Sequence, residues 1–300
     1  MTSLTMKHMR YFAALARHGH FGRAAHDCAI TQPALSVQIK ELEELVGMPL
    51  VERGTRQIRL TTVGEAFAER VRHILRAVDE LENLARAANQ PLVGQLRIGV
   101  IPTVAPYLLP DVIKTLTQRY AALDLRPREA ITQKLIDDLN EARLDAAIVA
   151  LPINEPGLHE IALFDEEFVL VRALADADKP VPSPQMLQEM RLLLLEEGHC
   201  FRDQALSFCM TTASLPRYLM EGSSLTTLVQ MVGAGIGVTL IPDMAVPIET
   251  SSASVSLARL PAPPPTRTIG MVWRKTDPLA GQLTELADVV REVGTRHASA

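Results

Sequence analysis

Two cysteines nine residues apart, Cys200 and Cys209, are the residues of this sequence best suited to covalent chemistry. Cys200 sits in the string Glu197-Gly198-His199-Cys200-Phe201-Arg202-Asp203-Gln204. His199 and Arg202 can bring positive charge and hydrogen-bond donors to the sulfur, and both favour the thiolate, the form of cysteine that attacks oxidants. Cys209 lies between Phe208 and Met210, an apolar flank that makes it the less reactive of the two. If the segment is helical, nine residues put the two Cα atoms about 13 Å apart, whereas a disulfide needs them within roughly 7 Å. Such a pair closes only by remodelling its own segment, which ties a covalent event to a conformational one. Oxidation would then run from thiolate to sulfenic acid at Cys200 and, by attack of Cys209, to a disulfide. The same spacing also suits two unrelated buried thiols. Metal is not expected, because His199, Cys200 and Cys209 lack a fourth ligand at zinc-like spacing. No other cofactor is implied.

The elements that would carry these residues are those of a two-part globular chain. A length of 300 residues with no apolar stretch approaching the roughly 20 residues of a membrane span predicts no membrane segment. No secretory signal is apparent, so the expected compartment is the cytoplasm. Three cysteines cannot form a disulfide framework, and a cytosolic cysteine pair is expected to be catalytic or sensory. The net charge of −5 conceals an asymmetry: residues 1–63 hold eight Lys or Arg against five acids. A basic front end on an acidic remainder suggests that residues 1–63 alone meet nucleic acid.

In residues 1–63 the apolar residues recur at helical spacing from Tyr11 to Leu15 and from Phe21 to Cys28, with Gly19 between. Thr31 is a good N-cap and Pro33 is tolerated in a first turn, so a third helix starts there and stops at Gly47. Leu35, Ile39, Leu42 and Val46 are its buried stripe, which leaves Gln32, Ala34, Ser36, Gln38 and Lys40 on other faces. That pattern is a helix-turn-helix whose second helix can enter the major groove. Thr31, Gln32, Pro33, Ala34, Ser36, Gln38 and Lys40 are its candidate DNA contacts. Leu50 to Leu60 reads as a hairpin wing on which Arg53, Arg56 and Arg59 suit phosphate or the minor groove. Cys28 is read as a buried small hydrophobe.

From Glu65 to about Ala88 a continuous apolar stripe (Val71, Ile74, Leu75, Val78, Leu81, Leu84) marks one long helix. A second copy of the chain is its natural cover, which predicts a homodimer. Beyond a hinge at residues 91–94, strand and helix signals alternate, as in a mostly parallel α/β sheet. The expected division is a winged helix-turn-helix over 1–63, a linker helix over 64–90 and an α/β unit beyond the hinge.

The run Phe21 to Ala25, Thr31-Gln32-Pro33-Ala34-Leu35-Ser36, Gln38-Ile39, Leu42-Glu43, Gly47, Leu50, Glu52-Arg53 and Leu60-Thr61 to Gly64 resembles the N-terminal signature of LysR-type transcriptional regulators. One departure is Val51, where the family commonly has Phe. Ile101-Pro102-Thr103-Val104, Tyr107 to Pro110, Leu163 to Glu166, Glu197 to Gln204 with Cys209, Ser224-Leu225 with Gly235 and Gly237, and Arg267 to Gly270 resemble the peroxide-sensing branch of that family. The resemblance implies an α/β fold: a winged helix-turn-helix, a long linker helix and a two-lobed regulatory domain like periplasmic binding proteins, with the first lobe over 95–165 and 267–300 and the second over 166–266. A ligand between such lobes would lie at strand carboxyl ends and helix N-termini, which makes Thr103 and Ser223-Ser224 positions of interest. It also implies Cys200 as the peroxidatic and Cys209 as the resolving cysteine, with Thr103, Thr132, His199, Arg202, Asp203 and Arg267 placing peroxide, steering its proton or stabilising the thiolate. The implied partners are double-stranded promoter DNA, RNA polymerase, hydrogen peroxide, a glutaredoxin- or thioredoxin-type reductant, and further copies of the chain, as a homodimer assembling to a homotetramer. Two readings compete with peroxide sensing: a regulator answering a small organic acid with inert cysteines, and a thiol peroxidase fused to a DNA-binding unit.

Overall fold

The computed structural model describes residues 3–52, 58–87, 92–209 and 219–298. The chain divides into two compact units, residues 1–85 and 86–300.

In the first unit, α1 (Met6–His18), α2 (Phe21–Asp27) and α3 (Gln32–Val46) close around Phe12, Leu15, Ala24, Leu35, Ile39 and Leu42, all essentially inaccessible to solvent. The capping residues set the boundaries. Thr5 Oγ1 accepts from His8 N, His20 Nδ1 accepts from Gly22 N and Arg23 N, and Thr31 Oγ1 accepts from Ala34 N, each satisfying amides that a helix start leaves unpaired. Gly19 ends α1 at φ 58°, a left-handed conformation that a side chain would strain. Strands β1 (Val51–Glu52) and β2 (Arg59–Leu60) pair antiparallel as the base of the wing. The carboxylate of Glu43 on α3 accepts from Leu50 N at 2.8 Å and Val51 N at 3.1 Å, which fastens the wing to the third helix. Helix α4 (Thr62–Ala87) follows. Its stripe starts covered, with Ala68 and Val71 buried and Phe67 edge-on to Phe12, then emerges: Ile74 is 42% and Leu81 65% exposed.

The second unit is built on one sheet. Its elements are β3 (Gly94–Val100), α5 (Ala105–Arg119), β4 (Leu123–Glu129), α6 (Thr132–Asn140), β5 (Ala146–Leu151) and β6 (Leu158–Ala173). They continue with α7 (Pro184–Glu189), β7 (Leu192–Leu195), α8 (Cys200–Cys209), β8 (Leu219–Gly222), α9 (Leu225–Gly233) and β9 (Val238–Pro242). The last are α10 (Val246–Glu249), β10 (Val255–Arg259), β11 (Thr266–Arg274) and α11 (Ala280–Ala298). The strand order is β4-β3-β5-β11-β6-β9-β7-β8, with β10 beside β6. β3 runs parallel to β4 and β5, and β7 runs parallel to β8 and β9. β6 joins the two halves. Its residues 158–167 pair with β11, and residues 168–173 pair with β9 and β10. Its second half is buried on both faces from Phe168 to Val171, as a strand in mid-sheet must be.

Candidate functional site

Cys200 is the first residue of α8 and follows a left-handed Gly198 (φ 95°) whose position a Cβ could take only 3.1 Å from Ile131 Cδ1. That glycine lets the chain turn sharply from the end of β7 into the helix. Phe201, the next residue, is buried and docks α8 edge-on to Phe168 of β6, with ring centroids 4.9 Å apart. Cys200, Phe201 and His199 share a narrow pocket with Ile101, Pro102 and Thr103 from the loop after β3, and with Ile131 and Thr132 at the start of α6. The structure thus brings together Thr103, Thr132, His199 and Cys200, which span some 100 residues of sequence.

Each wall of the pocket is held differently. Thr132 Oγ1 is buried and has no hydrogen-bond partner among the described residues. A buried hydroxyl in that state costs free energy and calls for a polar guest. Its helix α6 is fixed by Asp138, which is fully buried and contacted by Arg128, Lys134 and Arg143. Burial pushes the Asp138 carboxyl up, but the hydrogen bonds from Arg143 and Lys134 outweigh it and hold the group below the usual carboxylate range. Thr103 is held by Arg267, whose Nη1 donates to Thr103 Oγ1 at 2.8 Å and Nη2 to Thr103 O at 3.0 Å.

Burial pushes His199 below the usual imidazole range, against the opposing pull of Glu196 and Glu129. At neutral pH His199 is therefore uncharged, and the positive charge expected of it from sequence is not supplied. A neutral imidazole instead offers one donor and one acceptor. Arg202 Nη1 donates to Leu195 O at 3.0 Å and to Glu221 Oε1 at 2.5 Å, so its charge is engaged by β7 and β8. Asp203 is exposed. Cys209 closes α8, so the two cysteines do stand at opposite ends of one helix, with Cα atoms about 13 Å apart at the usual rise. The Cys209 side chain and residues 210–218 lie outside the described residues.

Beside the cysteine pocket is a cavity of about 120 Å³ lined in part by Thr103, Tyr107, Glu129, His199, Ser224 and Glu249. Tyr107 donates its hydroxyl to the buried Glu249 at 2.6 Å. Burial and this hydrogen bond push the Tyr107 phenol far above its ordinary range. Ser224 is engaged as the N-cap of α9. Glu249, and Glu166 as the partner of Arg267, were not singled out from sequence. Glu249 is a lone carboxylate in a short, otherwise apolar helix, whereas Glu166 stands between Asp165 and Glu167 and carries no local signal of its own.

On the first unit, Thr31, Gln32, Pro33, Ala34, Ser36 and Lys40 are exposed along the start and one side of α3. Gln38 is half-buried and donates to Glu41 Oε2 at 2.5 Å. Arg59 is exposed on β2, while Arg53 and Arg56 fall outside the described residues. Cys28 is half-buried at the end of α2, and burial, then the charge of Asp27, push its thiol up, which keeps it protonated and unreactive.

Residues 6–65 match the bacterial regulatory helix-turn-helix protein family of lysR type, and residues 89–295 match the LysR substrate binding domain. The chain belongs to the LysR family. A probable hydrogen peroxide-inducible genes activator of Streptomyces viridosporus is 42% identical over 96% of this chain and 94% of its own. The DNA-binding transcriptional dual regulator OxyR of Escherichia coli K12 is 39% identical over 96% and 95%. Among solved structures, a full-length OxyR from Pseudomonas aeruginosa, a cysteine-to-aspartate variant, is similar with a TM-score of 0.74 at 36% identity, over 97% of this chain and 96% of that one. A hydrogen-peroxide-bound cysteine-to-serine mutant of Corynebacterium glutamicum OxyR gives a TM-score of 0.69 at 33% identity, over 99% and 95%. The resemblance seen in the motifs is thus family membership, and the fold it implied, a helix-turn-helix unit followed by an α/β regulatory domain, is the one present.

Proposed function

We propose that this LysR-family chain is a hydrogen-peroxide-sensing, DNA-binding transcriptional regulator of antioxidant genes, switched by a reversible Cys200–Cys209 disulfide. Relatives whose names record peroxide-inducible activation match nearly end to end. The observation that carries the reading is the pocket at Cys200, which that residue lines together with Thr103 and Thr132, the Thr132 hydroxyl being buried and without a partner among the described residues. Peroxide is a small donor–acceptor that these hydroxyls can pair with, and since the pocket has no free volume for a water-sized guest, its walls must part slightly to admit it.

The Cys200 thiolate attacks one peroxide oxygen, the O–O bond breaks, and the sulfur loses two electrons to become sulfenic acid. The departing hydroxide takes a proton by way of neutral His199 or a threonine hydroxyl and leaves as water. Cys209 then attacks the sulfenic sulfur, expelling a second hydroxide that is protonated to water, and the disulfide forms. One peroxide and two thiols give one disulfide and two waters. A glutaredoxin- or thioredoxin-type dithiol returns two electrons and resets the switch. Because the cysteines cap opposite ends of α8, the disulfide unwinds that helix.

Thr31, Gln32, Pro33, Ala34, Ser36, Gln38 and Lys40, with the arginines of the wing, would meet promoter DNA. The uncovered Ile74 and Leu81 of α4 support a homodimer, assembling further to a tetramer that contacts RNA polymerase. Among the described residues no helix is long and apolar enough to cross a membrane, in keeping with a cytoplasmic regulator. The neighbouring cavity disfavours an organic-acid effector, because Glu129 and Glu249 would face the anion. A thiol peroxidase would turn over continuously with reductant, whereas a sensor reacts once and waits.

Thiol peptide mapping after a stoichiometric pulse of peroxide tests the reading. Linked Cys200 and Cys209 peptides, with a footprint on promoter DNA that differs between reduced and oxidised protein, are the expected result. Unlinked peptides overturn the switch.

A further inference from the structure

Arg267 is completely buried, and every nitrogen of its guanidinium is engaged. Directly across the β11–β6 register stands Glu166, 2% exposed at its side chain. Its Oε2 accepts from Arg267 Nε at 2.8 Å and pairs with Nη2 at 2.7 Å, and its Oε1 accepts from the backbone N–H of Met244 at 2.9 Å. Glu166 therefore fixes Arg267 in plane and in height. The far edge of the same guanidinium grips Thr103 by both its hydroxyl and its carbonyl. One face covers the ring of Phe201, 5.2 Å from its centroid and one residue from Cys200.

The consequence lies in a hydrogen atom. A hydroxyl has one hydrogen to donate, and a guanidinium can donate but never accept. Since Arg267 Nη1 occupies an acceptor site on Thr103 Oγ1, the hydroxyl hydrogen must point elsewhere. Among the described residues no protein acceptor takes it, and Thr103 lines the pocket of Cys200.

We infer that Glu166 is a positioning residue for the peroxide step: through Arg267 it sets the polarity of Thr103, so that Thr103 offers its hydroxyl hydrogen to the peroxide oxygen that leaves as the O–O bond breaks. This rests on the proposed peroxide chemistry at Cys200. It assigns Arg267 a role through Thr103, with its charge balanced by Glu166. Replacing Glu166 by glutamine keeps the shape but removes the charge that holds the guanidinium, and frees Thr103 to turn.

The test compares two reactions of Cys200 in the full-length reduced protein: sulfenic acid formation by hydrogen peroxide, and alkylation by iodoacetamide, which needs the thiolate but no oriented donor. Glu166→Gln is expected to slow the peroxide reaction about tenfold or more, as loss of one aimed donor does, while alkylation across pH 5 to 9 is as fast as in the wild type or faster, Arg267 being left unbalanced. Thr103→Val should show the same selective loss, Thr103→Ser should stay near wild type, and the Thr103→Val/Glu166→Gln double variant should lose no more than Thr103→Val alone. Equal slowing of both reactions in Glu166→Gln, or a full additional loss in the double variant, overturns the inference. If Glu166→Gln does not fold, the threonine pair decides: Thr103→Ser as slow as Thr103→Val also overturns it. Wild-type protein whose Cys200 resists peroxide defeats the functional reading itself, a result distinct from any of these.

Discussion

Replacing Phe201 by leucine should make the disulfide harder to reduce. In the reduced protein Phe201 is 1% exposed, edge-on to Phe168 and under the guanidinium of Arg267. If closing the disulfide unwinds α8, these contacts exist in the dithiol form and are lost in the other. The edge-to-face pair contributes roughly 0.5–1.5 kcal/mol beyond its buried area, and a desolvated cation–π contact about 0.5–2 kcal/mol. Leucine keeps most of the apolar burial and forfeits both, so the reduced form loses about 1–3.5 kcal/mol relative to the oxidised one. At 30 mV per 1.4 kcal/mol for a two-electron couple, the midpoint should move about 20–75 mV more negative. The assay is equilibration in dithiothreitol buffers of graded ratio, with thiol trapping and mass analysis of the 200–209 peptide. A midpoint unchanged within about 10 mV, or displaced upward, would mean that Phe201 stays docked in both states. α8 would then not unwind on oxidation.

Gly198→Ala places a Cβ at a left-handed position and against Ile131 Cδ1, and it should cost about 1–2 kcal/mol in denaturant unfolding. It should also slow sulfenic acid formation, because Cys200 is carried two residues on. His199, its pKa depressed by burial, binds its proton more tightly in the unfolded chain, so stability should decline as pH falls through about 6.5 and below. Urea midpoints at pH 7.5, 6.5 and 5.5 should show that slope, and His199→Gln should flatten it. Leu81→Glu, at the exposed end of the α4 stripe, should shift sedimenting species toward the monomer; an unchanged distribution would remove α4 from the interface.

The first unit was legible because its signals are local. Thr31, Pro33 and Gly47 mark the ends of α3 within a single helix, and Leu35, Ile39 and Leu42 bury as their spacing demands. Val46 is only half-buried, because the helix ends just where its stripe would continue. The second unit hid more. β4 is an edge strand rich in Asp124, Arg126, Pro127 and Arg128, which reads as a loop until β3 is seen beside it. β6 alternates poorly, because it changes partners midway and is buried on both faces where it does. β10 arises just after a serine-rich stretch because the edge of β6 supplies its hydrogen bonds. At the site, spacing alone brought out Cys200 and Cys209 but left their purpose open. Thr103 and Thr132 could be named only by family likeness, since nothing local ties residues 103 and 132 to 200. The neutrality of His199 and the hold of Glu166 on Arg267 depend on burial and on contacts 101 residues apart, which no window of sequence displays.

If Cys200 and Cys209 act as proposed, the helix between them also sets a clock. The first oxidation would then be local to Cys200, whereas the second would wait for the whole helix to open. The sulfenic acid would therefore be a short-lived record, erased if reductant arrives before the helix opens and converted to the longer-lived disulfide if it does not. Rapid-quench trapping should show sulfenic acid rising before the disulfide; simultaneous appearance of the two would remove the delay. With it, the regulator disregards brief bursts of oxidant and commits to a transcriptional response when exposure outlasts the opening time of ten residues.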